Sequence, residues 1–272
     1  MTVEYGPRGR WGGRLTRRAL PELDPSIDEL GPRDRERLAE IWLHRARMER
    51  RVADSFEVIR AALVRQHAAP ELVALAERAI DDEFRHTELS RVVASRFAGC
   101  ELALSTRLEL NVPVHAGASP ELRDTLHIVG QCLLNETTAS AYLEVTLAHA
   151  GGALARAAVQ ELLSDEIDHA RIGWAHLASL DRAARNAVGP WLLPMAYLNL
   201  RTWLEETPVD PGQTAGLAAH GAPAAGVVHE ALLDALKSVI VPGLAALELP
   251  TRSLERWLAA GAFTDRPPRE FS

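Results

Sequence analysis

The sequence predicts an all-α fold: a bundle of four long helices, paired as two antiparallel hairpins, with further helices behind it. Three observations predict it. Stretches of about thirty residues run with little or no glycine or proline and are rich in helix formers. Apolar residues recur along them at close to heptad spacing, marking one buried stripe per helix. And a Glu-x-x-His pair interrupts that stripe twice, at Glu83–His86 and at Glu166–His169.

The first 31 residues hold much Gly, Pro and Arg without sustained periodicity, so an irregular N-terminal arm is expected. Its arginines (Arg8, Arg10, Arg14, Arg17, Arg18) lack the apolar run that accompanies them in a secretory signal and read as a solvated patch. The bundle is assigned to residues 32–181. Its first helix opens at Pro32 and Asp34 and carries Leu38, Trp42, Arg45, Glu49, Val52, Phe56, Ile59 and Leu63 on its seam. A break ending at Pro70 leads to the second helix, with Leu72, Ala76, Ala79, Glu83, His86, Ser90, Val93 and Phe97. Residues 99–118 form a connection long enough to cross the height of a bundle.

Ser119-Pro120 then reads as a helix start, Ser as cap and Pro in the first turn. The third seam is Leu122, Leu126, Val129, Leu133, Glu136, Ser140, Leu143 and Leu147. Gly151-Gly152 ends it, and the fourth helix carries Val159, Leu162, Glu166, His169, Gly173, His176 and Leu180. Residues 182–272 are expected to form an extension of helices near 190–206 and 224–247 and after Pro250, with a loop at 207–222. It would either cover a site or make a subunit interface, as in a homodimer.

Composition excludes several functions. A net charge of -7 offers no basic excess to neutralise a phosphate backbone, so no nucleic-acid partner is expected. No apolar run nears the ~18 residues of a membrane span. Cys100 and Cys132 make neither zinc spacing nor a disulfide framework, which fits a reduced cytoplasmic setting.

The chemistry lies at mid-helix. Residues three apart on a helix share a face, so each Glu-x-x-His pair aims a carboxylate and an imidazole at the core. With Glu49 and Glu136 from the other two helices, six ionisable groups converge. Glu57 and Glu144 are competitors on those helices, but each lies on a poorer seam. Buried charges must neutralise one another or hold cations. Four carboxylates and two neutral imidazoles leave an excess of negative charge, which favours a pair of divalent metals over an ion-pair network. Ser90, Ser140 and Gly173 stand one turn beyond candidate ligands; small residues there either let helices approach or open a cavity. His176, two turns beyond His169, reads as a satisfied or substrate-facing residue rather than a ligand.

One Glu from each of two helices and Glu-x-x-His from the other two resembles the ferritin-like di-iron and di-manganese carboxylate proteins. The likeness covers about residues 34–181. Asp82-Glu83-Phe84-Arg85-His86 resembles the DExRH signature of the oxygen-activating di-iron hydroxylases, whereas the second copy, Asp165-Glu166-Ile167-Asp168-His169, has Asp168 in place of the arginine. Met48-Glu49-Arg50-Arg51 and Asn135-Glu136-Thr137 are similar to stretches of bacterial ferritin-like proteins. The resemblance implies two iron ions, or manganese or a mixed pair, held by Glu49, Glu83, His86, Glu136, Glu166 and His169. It implies that Asp82 orients His169 and Asp165 orients His86. Arg85 and Asp168, at equivalent positions, are expected to pair across the site. Ser140 stands where some hydroxylases carry a threonine and is expected to relay protons during oxygen activation.

Three functional readings are open. The first is an oxidase or oxygenase that uses dioxygen on a small organic molecule, by hydroxylation, N-oxygenation or desaturation. It needs an external reductase, since no flavin or nicotinamide fingerprint occurs. The second is iron or peroxide handling, and the third a metal-stabilised structural protein. Storage ferritins resemble a bare bundle without this long extension. Rubrerythrins add a four-cysteine iron site, which two cysteines cannot supply, and a further Glu where Leu133 stands. The p-aminobenzoate N-oxygenases have an extra His where Leu162 stands, which weakens N-oxygenation in particular.

Overall fold

The computed structural model describes residues 16, 19–104, 108–207 and 212–261. Among them every regular element is helical and there is no strand. Helix α1 (Pro32–Arg65) starts on a proline with Asp34 in its first turn, where a carboxylate faces the positive end of the helix dipole. Helix α2 (Pro70–Ala98) also starts on a proline and stops at Gly99, whose φ of 70° suits a residue without a side chain. Four residues separate the two, so they return along each other as a hairpin.

The third rod comes in three pieces: α3 (Pro120–Ile128), a π-helical segment (Val129–Asn135) and α4 (Glu136–His149). The Ser119 hydroxyl accepts the Leu122 N–H at 3.2 Å, as its capping position requires. In the π segment the Glu136 N–H reaches back five residues to the Gln131 carbonyl. One extra residue per wide turn rotates the downstream residues by about 100° relative to a continuous helix. From its periodicity alone this rod reads as one regular helix, and the π segment corrects that. Helix α5 (Ala153–Ser179) packs against α4, the π segment and α2.

Two apolar layers lie above and below the middle of these helices. One joins Leu38 and Trp42 of α1 to Leu89, Val93 and Phe97 of α2 and Leu154, Val159 and Leu162 of α5. The other joins Phe56, Ile59 and Leu63 of α1 to Leu72, Ala76 and Ala79 of α2, with Ile128, Cys132 and Ile172. Glu49, Glu83, His86, Glu166 and His169 fall between the two in sequence on every one of these helices. The polar layer is therefore walled by hydrocarbon at both ends, where charge is expensive unless neutralised.

The remaining chain forms α6 (Arg182–Val188), α7 (Leu192–Glu206), α8 (Ala215–Ala219), α9 (Ala225–Ala235), a second π segment (Leu236–Ile240), α10 (Val241–Ala246) and α11 (Arg252–Ala259). Here α7 packs on the first π segment and α9 on α4, around a third apolar cluster that includes Leu133, Leu192, Leu200, Leu232 and Trp257. The expected loop at 207–222 contains α8, capped by the Thr214 hydroxyl. The arm is less irregular than expected at its end. Pro25–Ile27 is a 3₁₀ turn, Ile27 is buried, and Asp24 Oδ2 accepts the Leu154 N–H at 2.8 Å. The arginines at positions 8, 10, 14, 17 and 18 lie outside the described residues. No helix among the described residues is long and apolar enough to cross a membrane.

Gly173 fixes how closely α5 approaches the π segment. A Cβ there would sit 2.4 Å from the Leu133 nitrogen and 2.8 Å from the Cys132 carbonyl carbon, both backbone atoms that cannot swing aside. Replacing it with alanine gains about 1 kcal/mol of helix propensity but forces the rods apart, at about 1–3 kcal/mol. Gly173→Ala should therefore lower the midpoint of urea unfolding; an unchanged or raised midpoint would contradict the close approach.

Candidate metal centre

Six side chains from four helical rods meet between the two apolar layers. Ligand atoms of Glu49, Glu83, His86 and Glu166 lie within 4.8 Å of one another, as do those of Glu136, Glu166 and His169. Glu166 belongs to both groups, so a buried Glu/His cluster able to hold a metal ion is present, and its two halves share a carboxylate. All six residues read from the sequence are in it. Glu57 and Glu144 are in neither group.

The orientation of the imidazoles decides whether the cluster fits metal. His86 turns Nδ1 toward Glu83 Oε2 at 3.7 Å and Glu166 Oε1 at 3.6 Å, distances too long for hydrogen bonds. His169 turns Nδ1 toward Glu83 Oε1 at 3.0 Å and Glu166 Oε2 at 3.2 Å. Outward, His86 Nε2 is 3.3 Å from Asp165 Oδ2, and His169 Nε2 is 3.8 Å from Asp82 Oδ2. Each imidazole thus meets the aspartate of the opposite helix, α5 for His86 and α2 for His169. An aspartate that accepts a hydrogen bond from the Nε2–H leaves Nδ1 as a lone-pair donor facing the carboxylates, the arrangement of a metal-ligating histidine. Both Glu83 carboxylate oxygens and His86 Nδ1 are buried without a hydrogen bond among the described residues. The donor set of hard oxygens and two imidazoles, converging and only partly hydrogen-bonded, fits a metal pair.

Arg85 does not reach Asp168. Its guanidinium lies between the two aspartates, donating to Asp82 Oδ1 at 3.3 Å and to Asp165 Oδ2. Asp168 points away from the core and pairs with Arg171 on its own helix at 2.7 Å. Equivalent places in two motifs say nothing about which way each helix is turned, and α5 turns Asp168 outward.

Burial and the neighbouring charges favour protons on several of these groups. Burial, then the Glu83 carboxylate, pushes Glu49 well above the usual carboxylate range. Burial, then Glu166 and Glu83, does the same to Glu136. Burial disfavours the charged imidazoles, but Asp165 and Glu83 outweigh it and raise His86 to about 10. Glu166 and Asp82 likewise outweigh burial and raise His169 well above its ordinary value. Burial also opposes ionisation of Glu83, yet His169 and His86 hold it down to about 2.

A cavity of about 780 Å³ ends on Glu49, Glu136 and Glu166. Its walls come from α1, the π segment, α4 and the last turn of α7, with Met48, Val52, Ala139, Leu143 and Trp203 among the apolar members. So the extension after the fourth long helix forms one wall of the chamber. Trp203 is fixed there by its indole N–H on Asn135 Oδ1 at 3.2 Å and by Tyr142, with ring centroids 5.3 Å apart. Gln131, in the π segment, donates to Glu136 Oε1 at 2.6 Å and accepts from the Ser55 hydroxyl at 3.3 Å, which orients that carboxylate.

None of the four expected pocket residues lines this cavity. Ser140 is half-buried, and its hydroxyl donates to the Glu136 carbonyl at 2.9 Å; the slip introduced by the π segment places Ala139 on the wall instead. Ser90 is buried with no hydrogen bond to its hydroxyl among the described residues, and Gly173 serves the helix contact already described. His176 is buried with neither ring nitrogen hydrogen-bonded among the described residues, and burial pushes it down to about 4. The opening lies on the α1 and α4 side of the cluster, whereas three of these four residues stand on α2 and α5. Sequence reasoning missed Gln131, Tyr142, Trp203 and Arg45; only Arg45 gave a signal, as a charge standing on an apolar seam.

No family model, curated protein or solved structure matches this chain.

Metal ligation requires ionised Glu49 and Glu136 and a free Nδ1 on each imidazole, whereas burial and the neighbouring charges favour the protonated form of all four. Loading with Mn(II) should therefore release protons, and apparent affinity should strengthen as pH rises toward about 10, the value to which His86 is raised. Calorimetric titrations in buffers of different ionisation enthalpy measure this directly; an enthalpy independent of buffer would contradict the protonated cluster.

Proposed function

We propose that the chain is a ferritin-like di-metal carboxylate protein that acts as a dioxygen-dependent oxidase or oxygenase on a small organic molecule. The observation that carries this reading is the chamber beside the cluster. Its volume falls in the ~300–1,000 Å³ range of small-molecule sites, and it ends on three of the six proposed ligands. A path for hydrated ferrous ions needs neither apolar walls nor a ring pair across the opening.

In this reading Glu49, Glu83, His86 and Glu166 would hold one metal, and Glu136, Glu166 and His169 the other. Bound iron would supply electrons to dioxygen and an oxidant for a neighbouring C–H or N–H bond, and manganese or a mixed pair suits the same donors. The protein's own work is positional. Asp165 accepts the His86 Nε2–H and so fixes that imidazole, and Asp82 stands 3.8 Å from His169 Nε2, where a small movement would let it do the same. Arg85 donates to both aspartates and so ties them together in a buried place. Ser55 and Gln131 fix the plane of Glu136 at the chamber wall. Tyr142 and Trp203 close one side and reduce the water near the cluster, which strengthens every electrostatic interaction inside. Electrons for repeated turnover would come from a separate reductase.

Anaerobic loading with Fe(II), followed by dioxygen, tests the proposal. Two irons per chain should oxidise once, with further oxygen uptake only when an external reductant is supplied, and Glu83→Ala with His169→Ala should lose the metal. Sustained oxidation of excess Fe(II) without reductant would replace this reading with iron handling. Failure to bind iron, with thermal stability unaffected by iron or manganese, would overturn it.

A further inference from the structure

The charges around the chamber sort into pairs, and two are left over. Arg37 is paired with Glu40 at 3.3 Å, Arg51 with Glu206 at 3.6 Å, and Glu205 with Arg201 at 3.1 Å. Arg45 and Arg47 also line the chamber, and neither makes an ion pair among the described residues. Arg45 is only 8% exposed. Its guanidinium lies 4.1 Å from the centre of the Trp42 ring, and Nη2 donates to the Tyr142 hydroxyl at 2.6 Å and to the Gly221 carbonyl at 3.3 Å. These contacts fix its position, but none carries a negative charge. Arg45 Nη1 and Arg47 Nε are buried with no hydrogen bond among the described residues. The carboxylate that feels Arg45 is Glu49, one turn along α1, and in the proposed function that carboxylate is committed to metal.

A buried cation without a counter-charge is costly, and a guanidinium held over an aromatic ring with Nη1 left without a partner offers fixed donors suited to a carboxylate. We infer that the substrate is a small organic acid whose carboxylate is held by Arg45, with Arg47 contributing charge, while its apolar body extends toward Glu49, Glu136 and Glu166. This deepens the proposed function and rests on it. The anion would be anchored away from the metals, so that the bond to be oxidised, rather than the acid group, faces the cluster. Met48, Val52, Ala139 and Leu143 supply the apolar surface for the body. Arg45 is thereby a substrate-binding residue that also sets the direction in which the substrate lies.

The test is calorimetric titration of the full-length Mn(II)-loaded protein with benzoate and octanoate, each set against its uncharged amide. At least one acid should bind more tightly than its amide by about tenfold or more, and which acid does so separates an aromatic from an aliphatic substrate. Arg45→Gln should abolish that preference at unchanged metal content and leave amide binding as it was, and Arg45→Lys should restore part of it. Should Arg45→Gln fail to fold, the Co(II)-loaded wild-type protein serves instead, because an acid held by Arg45 leaves the metal's optical spectrum unchanged. No binding of either acid, equal binding of acid and amide, or an acid that changes the Co(II) spectrum would overturn the inference. Intact metal loading with any of those results would leave the metal-centre reading standing; failure to load metal would remove that reading first.

Discussion

Four carboxylates and two imidazoles sit in a layer with hydrocarbon above and below, and much of the structure can be traced to the problem of holding them there. Ionised groups in such a place cannot rely on water. Burial and the neighbouring charges favour protons on Glu49, Glu136 and the two imidazoles, which offset the charge. That solution is provisional, because every proton occupies a position that a metal ion can take. The aspartates behind the histidines are buried as well, and Arg85 answers both at once. The guanidinium is thus part of the cost of orienting the imidazoles, and its position is set by theirs.

The third rod shows how a helix adapts to such a layer. A regular helix would carry the Leu122–Leu133 stripe straight into Ser140. The π segment instead interposes a wide turn just before Glu136, and Gln131 within it contacts the Glu136 carboxylate. The slip also leaves Asn135 beside Asn199 and Trp203 of α7, at 3.2 Å from each. Through that asparagine α7 is tied to the rod that bears a proposed ligand. The extension and the cluster are consequently coupled through backbone register as well as through the chamber wall.

Much of the site was legible in the sequence because helical periodicity is a local property. Glu83, His86, Glu166 and His169 declared themselves by spacing, and Glu49 and Glu136 by standing on otherwise apolar seams. What was not legible depended on non-local geometry. Nothing in Val129–Asn135 distinguishes a π turn from an α turn, since the difference lies in which carbonyl each N–H chooses. Gly173 and Ser90 could have lined a cavity or closed a gap, and only the separation of neighbouring helices decides that. Arg85 and Asp168 were equivalent in the motifs and not in space. Arg45 was visible as a charge within a stripe of Leu38, Trp42 and Val52, but its meaning required the chamber, which is formed by residues more than 150 positions apart.

Anomalous diffraction from crystals of the protein loaded with Mn(II) tests the central claim most directly, because it locates metal without reference to activity. Two peaks are predicted, one against Glu49, Glu83, His86 and Glu166 and one against Glu136, Glu166 and His169, with both histidines bonded through Nδ1. A single surface-bound ion, or a cluster that stays protonated and free of metal at saturating manganese, would contradict it.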